Sequence, residues 1–311
     1  MIETRRIGRT DMETPRLVLG GNVFGWTADR EATFRILDRF VAAGGTMIDT
    51  ADVYSYWVPG HDGGESERLI GEWLERRGRR DDVLIATKVG LLEGLADGTI
   101  RNGVEASLRR LKTDYVDLYY SHKDDLETPL EESLGAFDAL VREGKVRWTG
   151  ASQIEAGRLR EAAAVADANG LARYAVLQTW YNMVDRPMFE DALASTSGEL
   201  GLGVLSFFSL ANGYLTGKYR GPADLTKSVR GDRVTKYMEG NGPAVLAALD
   251  EVAAETGASV SQVALAWTAA QPALTAPIAS ARSLEQLEEL LGALTLTLTA
   301  DQRGRLDAAS A

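Results

Sequence analysis

Four side chains able to pass or steady a proton stand at or just after short apolar runs: Asp49 within 46–50, Tyr54 five residues later, Lys88 at the end of 83–88, and His122 just past 115–120. A free phenol titrates near about 10, too high for ready exchange at neutrality, and a neighbouring ammonium favours the phenolate and lowers that value. Taken singly, the four residues have bland readings. A strand-end Asp is usually a helix cap or surface charge, a Lys after an apolar strand is solvated, and a lone His is hydrogen-bonded structure. Only elements that gather the four would make them a proton-handling site.

Such elements are legible as an alternation. Apolar runs of strand length occur at 17–21, 46–50, 83–88, 115–120, 146–152, 174–178, 203–207 and 274–278. Between and after them lie segments with apolar residues every three or four positions, at 30–43, 64–77, 99–111, 129–143, 156–169, 187–195, 244–255, 261–270 and 283–291. Short strands that are apolar throughout fit a parallel sheet covered on both sides. Eight such units predict an α/β chain folded as a (β/α)8 TIM barrel, one domain over residues 1–311. Two stretches break the rhythm. Residues 1–16 read as a short N-terminal hairpin, and the long loop after the seventh strand, 208–243, exceeds ordinary connections and points to function. The rival open sheet calls for G-x-G-x-x-G after an early strand. Here Gly240 and Gly242 are followed by Val245 at the sixth position, and no strand precedes them.

In such a barrel the site lies where the strands end. Those ends are polar or aromatic: Asp49, Lys88, His122, Ser152 with Gln153, Gln178, Phe207 with Phe208, and Ser280 with Arg282. Composition narrows the partners. The 311 residues include no cysteine, which excludes disulfides and thiolate metal sites, and two histidines without paired-ligand spacing, which leaves a metal-dependent hydrolase poorly supported. The formal charge of −11 opposes nucleic acid and anionic membranes. No run of about 18 apolar residues suggests a membrane span, and MIETRRIGRT lacks a signal-peptide core. The expectation is a cytoplasmic protein that acts on small molecules.

The segments MIDTADVY, IATKVG, VDLYYSH, WTGASQ, VLQTWYN, GVLSFFSLANGYLTGKY and SARSLEQL, in this order along nearly the whole chain, resemble the aldo-keto reductase superfamily. That resemblance implies a barrel that binds a nicotinamide cofactor without a Rossmann domain, in keeping with the missing fingerprint. It implies reduction of an aldehyde or ketone to an alcohol with NADPH. Tyr54 would be the proton donor, Lys88 the charge that lowers its pKa, Asp49 the anchor of Lys88, and His122 the group that orients the substrate oxygen. The alternative implied by the same superfamily is a cofactor-binding regulatory subunit with little turnover.

Similarity to the family also places Ser152, Gln153 and Gln178 on the nicotinamide carboxamide and Phe207 against its ring, with Phe208 beside it. Phe207 stands where relatives often carry Tyr, and Gln153 where Asn is common. Ser209, Leu210, Asn212, Gly213 and Lys218 resemble the loop around the pyrophosphate. Ser280, Arg282 and Gln286 match the grip on the adenosine 2′-phosphate, where a guanidinium bonds bidentately. Leu290 replaces a commonly polar adenine contact. Phe24, Trp26, Trp57 and Trp180 are available to line an apolar substrate pocket. The long loop adds a charge argument. Residues 208–243 hold six basic residues (Lys218, Arg220, Lys227, Arg230, Arg233, Lys236) against three acidic ones, leaving −14 for the rest of the chain, so this loop is expected to fold over the pyrophosphate.

Overall fold

The structure, a computed structural model of the chain, describes residues 3–228 and 231–311, so Arg230 of the basic loop lies outside the described residues. It opens with a hairpin, β1 (Thr4–Arg6) against β2 (Glu13–Pro15), paired antiparallel. The barrel follows: β3 (Val18–Gly20), α1 (Arg30–Ala42), β4 (Met47–Asp49), α2 (Glu65–Arg77), β5 (Leu84–Val89), α3 (Asp97–Leu111), β6 (Val116–Ser121), α4 (Leu130–Arg142), β7 (Val146–Ser152), α5 (Ala156–Asn169) and β8 (Val176–Trp180). The chain continues through α6 (Pro187–Glu190), α7 (Leu193–Leu200), β9 (Gly203–Phe207), α8 (Gly242–Thr256), α9 (Val260–Ala269), β10 (Ala276–Ala279), α10 (Leu284–Gly292) and α11 (Ala300–Ser310). Strands β3 to β10 are all parallel and close in chain order, β10 pairing with both β9 and β3. This is the expected (β/α)8 barrel with its N-terminal hairpin.

Three readings change. The helix expected over 187–195 is two short helices, α6 and α7, because Ala192 adopts φ −140°, ψ −36°, outside the helical region. The loop 208–243 contains three short 3₁₀ segments, Ala211–Thr216, Pro222–Lys227 and Gly231–Met238. Helix α11 was not anticipated. Its start is nonetheless written in the chain, since Thr299 accepts from the Gln302 N–H while Gln302 accepts from the Thr299 N–H.

Alternation along each strand divides the core into two layers. Ile48, Ile85, Tyr119, Leu177 and Val204 pack outward under the helices. Met47, Ala86, Leu118, Tyr120, Val176 and Leu205 fill the barrel interior. Gly150 is required there, because a Cβ would sit 2.5 Å from the Tyr120 ring. Ile7 and Met12 of the hairpin join this interior cluster, both buried, so β1 and β2 cap the barrel at the N-terminal ends of its strands. Among the described residues, no helix is long and apolar enough to cross a membrane.

Candidate active site

The interior alternation carries the site residues to the opposite mouth. Met47 is followed two residues on by Asp49, Ala86 by Lys88, Tyr120 by His122, Val176 by Gln178 and Leu205 by Phe207. Lys88 is 1% and Asp49 2% exposed at the side chain, with Nζ 2.7 Å from Asp49 Oδ2. The same ammonium donates to the Thr50 carbonyl at 2.7 Å and to the Tyr54 oxygen at 3.0 Å, which uses all three of its protons. The Tyr54 hydroxyl reaches only 3.4 Å from Asp49 Oδ2. Gln178 Nε2 donates to Asp49 Oδ1 at 2.7 Å and ties β8 to β4 across the mouth. The His122 ring lies 6.1 Å from the Tyr54 ring, edge to face.

The electrostatics differ from the sequence expectation at one point. Burial pushes the Tyr54 phenol up, Lys88 pulls it down and Asp49 pushes it up again, and the net direction is upward. The leading reason is burial of the phenol, and Asp49 adds to it by offsetting part of the Lys88 charge. Burial opposes the Lys88 charge, yet Asp49 and the Tyr54 oxygen outweigh it, and the ammonium titrates above its ordinary value. Burial, with the Lys88 charge added, holds His122 well below the usual histidine range. His122 is therefore neutral at pH 7, and its buried Nδ1 has no partner among the described residues.

The residues matched to a cofactor fall along the other half of the mouth. Ser152 and Gln178 are buried neighbours in the β7–β8 register. Gln153, at φ +48°, donates from Nε2 to the His122 carbonyl at 2.9 Å. Phe207 is half-buried, 5.2 Å from Phe208 between ring centroids. After β9 the backbone turns left-handed at Phe208, Ala211, Asn212 and Gly213. The N–H groups of Ser209 and Leu210 find no acceptor among the described residues, and the buried Asn212 Oδ1 likewise has no partner there. The Ala211 and Gly213 N–H groups are taken by the Phe208 and Leu210 carbonyls, so the Ser209 and Leu210 donors are the ones this nest-like turn offers to an anion. A Cβ added at Gly213 would lie 3.3 Å from Lys218 Nζ, so a cation sits against the nest. At the β10 end, Ser280 Oγ donates to Asn22 Oδ1 at 2.6 Å and Gln286 Oε1 accepts from the Arg282 N–H, ahead of the α10 N-terminus. Arg282 is exposed and has no ion pair among the described residues. The unbonded Ser209 and Leu210 N–H groups, with Lys218 against them and the exposed Arg282, fit a phosphate-bearing cofactor.

The basic loop is less uniformly free than its composition suggests. Arg220 is held bidentately by Asp250, Lys227 pairs with Asp224 and Lys236 with Asp185. Lys218 and Arg233 are the loop's cations without a carboxylate partner among the described residues.

Of the four aromatic residues matched to a pocket, Trp26 and Trp57 meet at 5.6 Å, and Trp57 lies 6.1 Å from the Tyr54 ring. Trp180 stands on the other wall, 4.6 Å from Phe208 and 5.9 Å from Phe207. Phe24 is not with them. It is fully buried in the outer packing layer, because the loop after β3 curls back and pairs Phe24 with Ala28.

Sequence reasoning missed two groups. Tyr56, exposed, extends the Trp57 wall at 5.6 Å. Asp185 Oδ2 accepts from Trp180 Nε1, Asn182 Nδ2 and the Tyr237 hydroxyl at 2.8, 3.0 and 2.7 Å, which clasps the end of the long loop to the β8 wall. A signal existed, since Asn followed three residues later by Asp is turn-forming and Asn182 Oδ1 accepts the Val184 and Asp185 N–H groups.

The fold is thus a closed eight-stranded barrel with Asp49, Tyr54, Lys88 and His122 gathered at its C-terminal mouth and, beside them, backbone donors unpaired among the described residues. Residues 16–311 match the model of the Aldo/keto reductase family, and the chain belongs to that family. It is 34% identical over 310 residues to the uncharacterized oxidoreductase YrpG of Bacillus subtilis (strain 168), covering 96% of this chain and 92% of that one. It is 32% identical to an aryl-alcohol dehydrogenase [NADP(+)] of Phanerodontia chrysosporium, covering 89% and 75%. It is 31% identical to a probable voltage-gated potassium channel subunit beta of Oryza sativa subsp. japonica, covering 94% and 91%.

Proposed function

We propose that the chain reduces an aldehyde or ketone to an alcohol with NADPH, with Tyr54 as proton donor. The observation that carries this reading is the phenol held 3.0 Å from a buried ammonium at the barrel mouth. A carbonyl carbon that accepts hydride leaves negative charge on its oxygen, and that oxygen takes the Tyr54 proton as the C–H bond forms. The raised phenol pKa keeps this proton in place at neutral pH, and Lys88 steadies the phenolate once the proton has left. Neutral His122 offers the carbonyl oxygen a hydrogen bond without competing for the proton.

When bound, the reduced nicotinamide supplies the hydride. Ser152, Gln153 and Gln178 would hold its carboxamide and Phe207, with Phe208 beside it, its ring. Ser209, Leu210, Asn212, Gly213 and Lys218 would hold the pyrophosphate, and Ser280, Arg282 and Gln286 the 2′-phosphate. The aromatic walls formed by Trp26, Trp57 and Trp180 support a substrate with an aromatic or otherwise apolar body. The named activity of the Phanerodontia relative points the same way.

Tyr54→Phe tests the reading. We expect NADPH binding to persist and carbonyl reduction on an aldehyde panel to fall by roughly 10²-fold or more; full turnover in the variant would overturn the assignment. The second reading, a cofactor-binding subunit with little turnover, draws on the name of the rice relative. Tight NADPH binding with no turnover on any aldehyde of the panel would favour it.

A further inference from the structure

Behind the wall that carries Lys88 lies a second ionisable network that the proposed reaction does not use. Glu67 of α2 is fully buried, and its Oε1 accepts from Thr87 Oγ1 at 2.5 Å. Its Oε2 accepts from Arg110 Nε of α3 at 2.6 Å. Thr87 is the outward neighbour of Lys88 on β5, so Glu67 grips the strand one residue from the ammonium. Arg110 also borders an open groove of about 400 Å³ between α2 and α3, lined with Arg68, Glu72, Arg109 and Lys112. The network therefore runs from the outer surface to the back of the site.

Asp52 is its half-buried member, with one carboxylate oxygen left over. Its N–H donates to the Lys88 carbonyl at 3.2 Å, extending the β4–β5 pairing to within two residues of Tyr54. Its Oδ1 is buried and has no donor among the described residues. A carboxylate oxygen shut away from water with no donor is costly, and a proton on it relieves the cost. The groups acting on Asp52 are Glu67 of α2, Arg110 of α3, the Val53 N–H beside it and Lys88 of β5, and Asp52 in turn acts on Tyr119 of β6. Burial first, then the Glu67 charge, outweigh Arg110 and Lys88 and raise this carboxyl to about 7. On the other side of Tyr54, Ser55 is held at φ +80°, left-handed and strained for a residue with a side chain, its hydroxyl on the Phe24 carbonyl. A strained loop keeps its shape only while its surroundings fix it.

We propose that Asp52, tied by its N–H to the Lys88 carbonyl and with its carboxylate Oδ1 left without a donor among the described residues, is a positioning residue for the Tyr54–Lys88 pair: a change in charge on its carboxyl loosens the loop that presents Tyr54. The inference rests on the role proposed for Tyr54.

Asp52→Asn keeps the shape and removes the ionisation. In infrared difference spectra of the wild-type chain we expect a carboxylic-acid carbonyl band that vanishes as pH rises through about 7 and is missing in the variant. A carboxyl raised in the folded state contributes stability that is lost as pH rises from the ordinary carboxylate range through about 7, so the wild-type melting temperature falls over that range relative to Asp52→Asn. kcat for aldehyde reduction follows the same inflection in the wild type and loses it in the variant, with KM for NADPH unchanged within about twofold. Glu67→Gln, which removes the charge opposing Asp52 ionisation, moves the inflection to lower pH. If Glu67→Gln does not fold, the wild type and Asp52→Asn suffice. Absence of the band, or coincident pH profiles in wild type and Asp52→Asn, overturns the proposal. The band and the melting profile need neither substrate nor cofactor, so a chain that shows both but reduces no aldehyde would count against the proposed reaction and not against the ionisation of Asp52.

Discussion

Lys88 and Asp49 are withdrawn from water together, and neither charge is tolerable there alone. Removing one member of such a pair typically costs about 3–5 kcal/mol, whereas replacing both by apolar residues is often close to neutral. Lys88→Met should therefore destabilise the chain by about 3–5 kcal/mol in denaturant unfolding. Adding Asp49→Leu should restore most of that while the double variant stays inactive. The types and spacing of Asp49, Tyr54, Lys88 and His122 were readable as a group because alternation along a strand is a property of the sequence. The direction of the Tyr54 shift was not, because it depends first on how deeply the phenol is buried and then on Asp49 offsetting Lys88 at 2.7 Å, neither of which spacing encodes. Phe24 failed for a related reason. An aromatic residue in a loop after a strand reads the same whether the loop lines the mouth or folds under it.

Among the elements, the loops at the mouth are fastened to each other by single carboxylates. Asp125, after β6, accepts from the Leu95 N–H at 2.7 Å, the Glu127 N–H at 2.9 Å and the Thr128 hydroxyl at 2.6 Å. The Thr128 hydroxyl and the Leu95 N–H lead the interactions that hold this carboxyl down at about 2. A depressed carboxyl contributes stability above its unfolded value that is lost as pH falls through the folded one, so this contribution fades from the ordinary Asp range down to about pH 2. Asp125→Asn should remove that part of the acid dependence, and amide exchange in the loop after β5 should quicken in the variant at neutral pH. Strand and helix identity along the barrel was legible from period alone. The split between α6 and α7 was not, because one non-helical residue, Ala192, interrupts an otherwise helical stretch. The clasp at Asp185 joins positions 52 residues apart, Asp185 and Tyr237, and so has no local signature.

For the molecule as a whole, the net −11 and the proposed polyanionic cofactor are reconciled by placement. Three loop cations are spent on Asp250, Asp224 and Asp185. Lys218 at the nest and Arg282 before α10 keep no carboxylate partner among the described residues, which leaves them for the phosphates of the proposed cofactor. NADPH affinity should accordingly weaken with added salt more than NADH affinity, since the extra phosphate adds screened charge. Arg282→Ala should weaken NADPH binding by about 10-fold or more, the worth of one charge-assisted contact, and leave NADH nearly unchanged. Fluorescence titration of both cofactors reads the difference; equal losses for the two would remove Arg282 from the 2′-phosphate.

The hairpin lies at the far end from all of this chemistry, yet Ile7 and Met12 are the cork beneath the column of side chains on which Lys88 rests. A barrel uncorked from below would let water climb toward the ion pair, and damp charges attract each other less than dry ones. The dryness of the mouth is thus partly a property of the floor, so a change at Ile7 or Met12 is felt as a change of solvent around Tyr54 rather than as a lost contact.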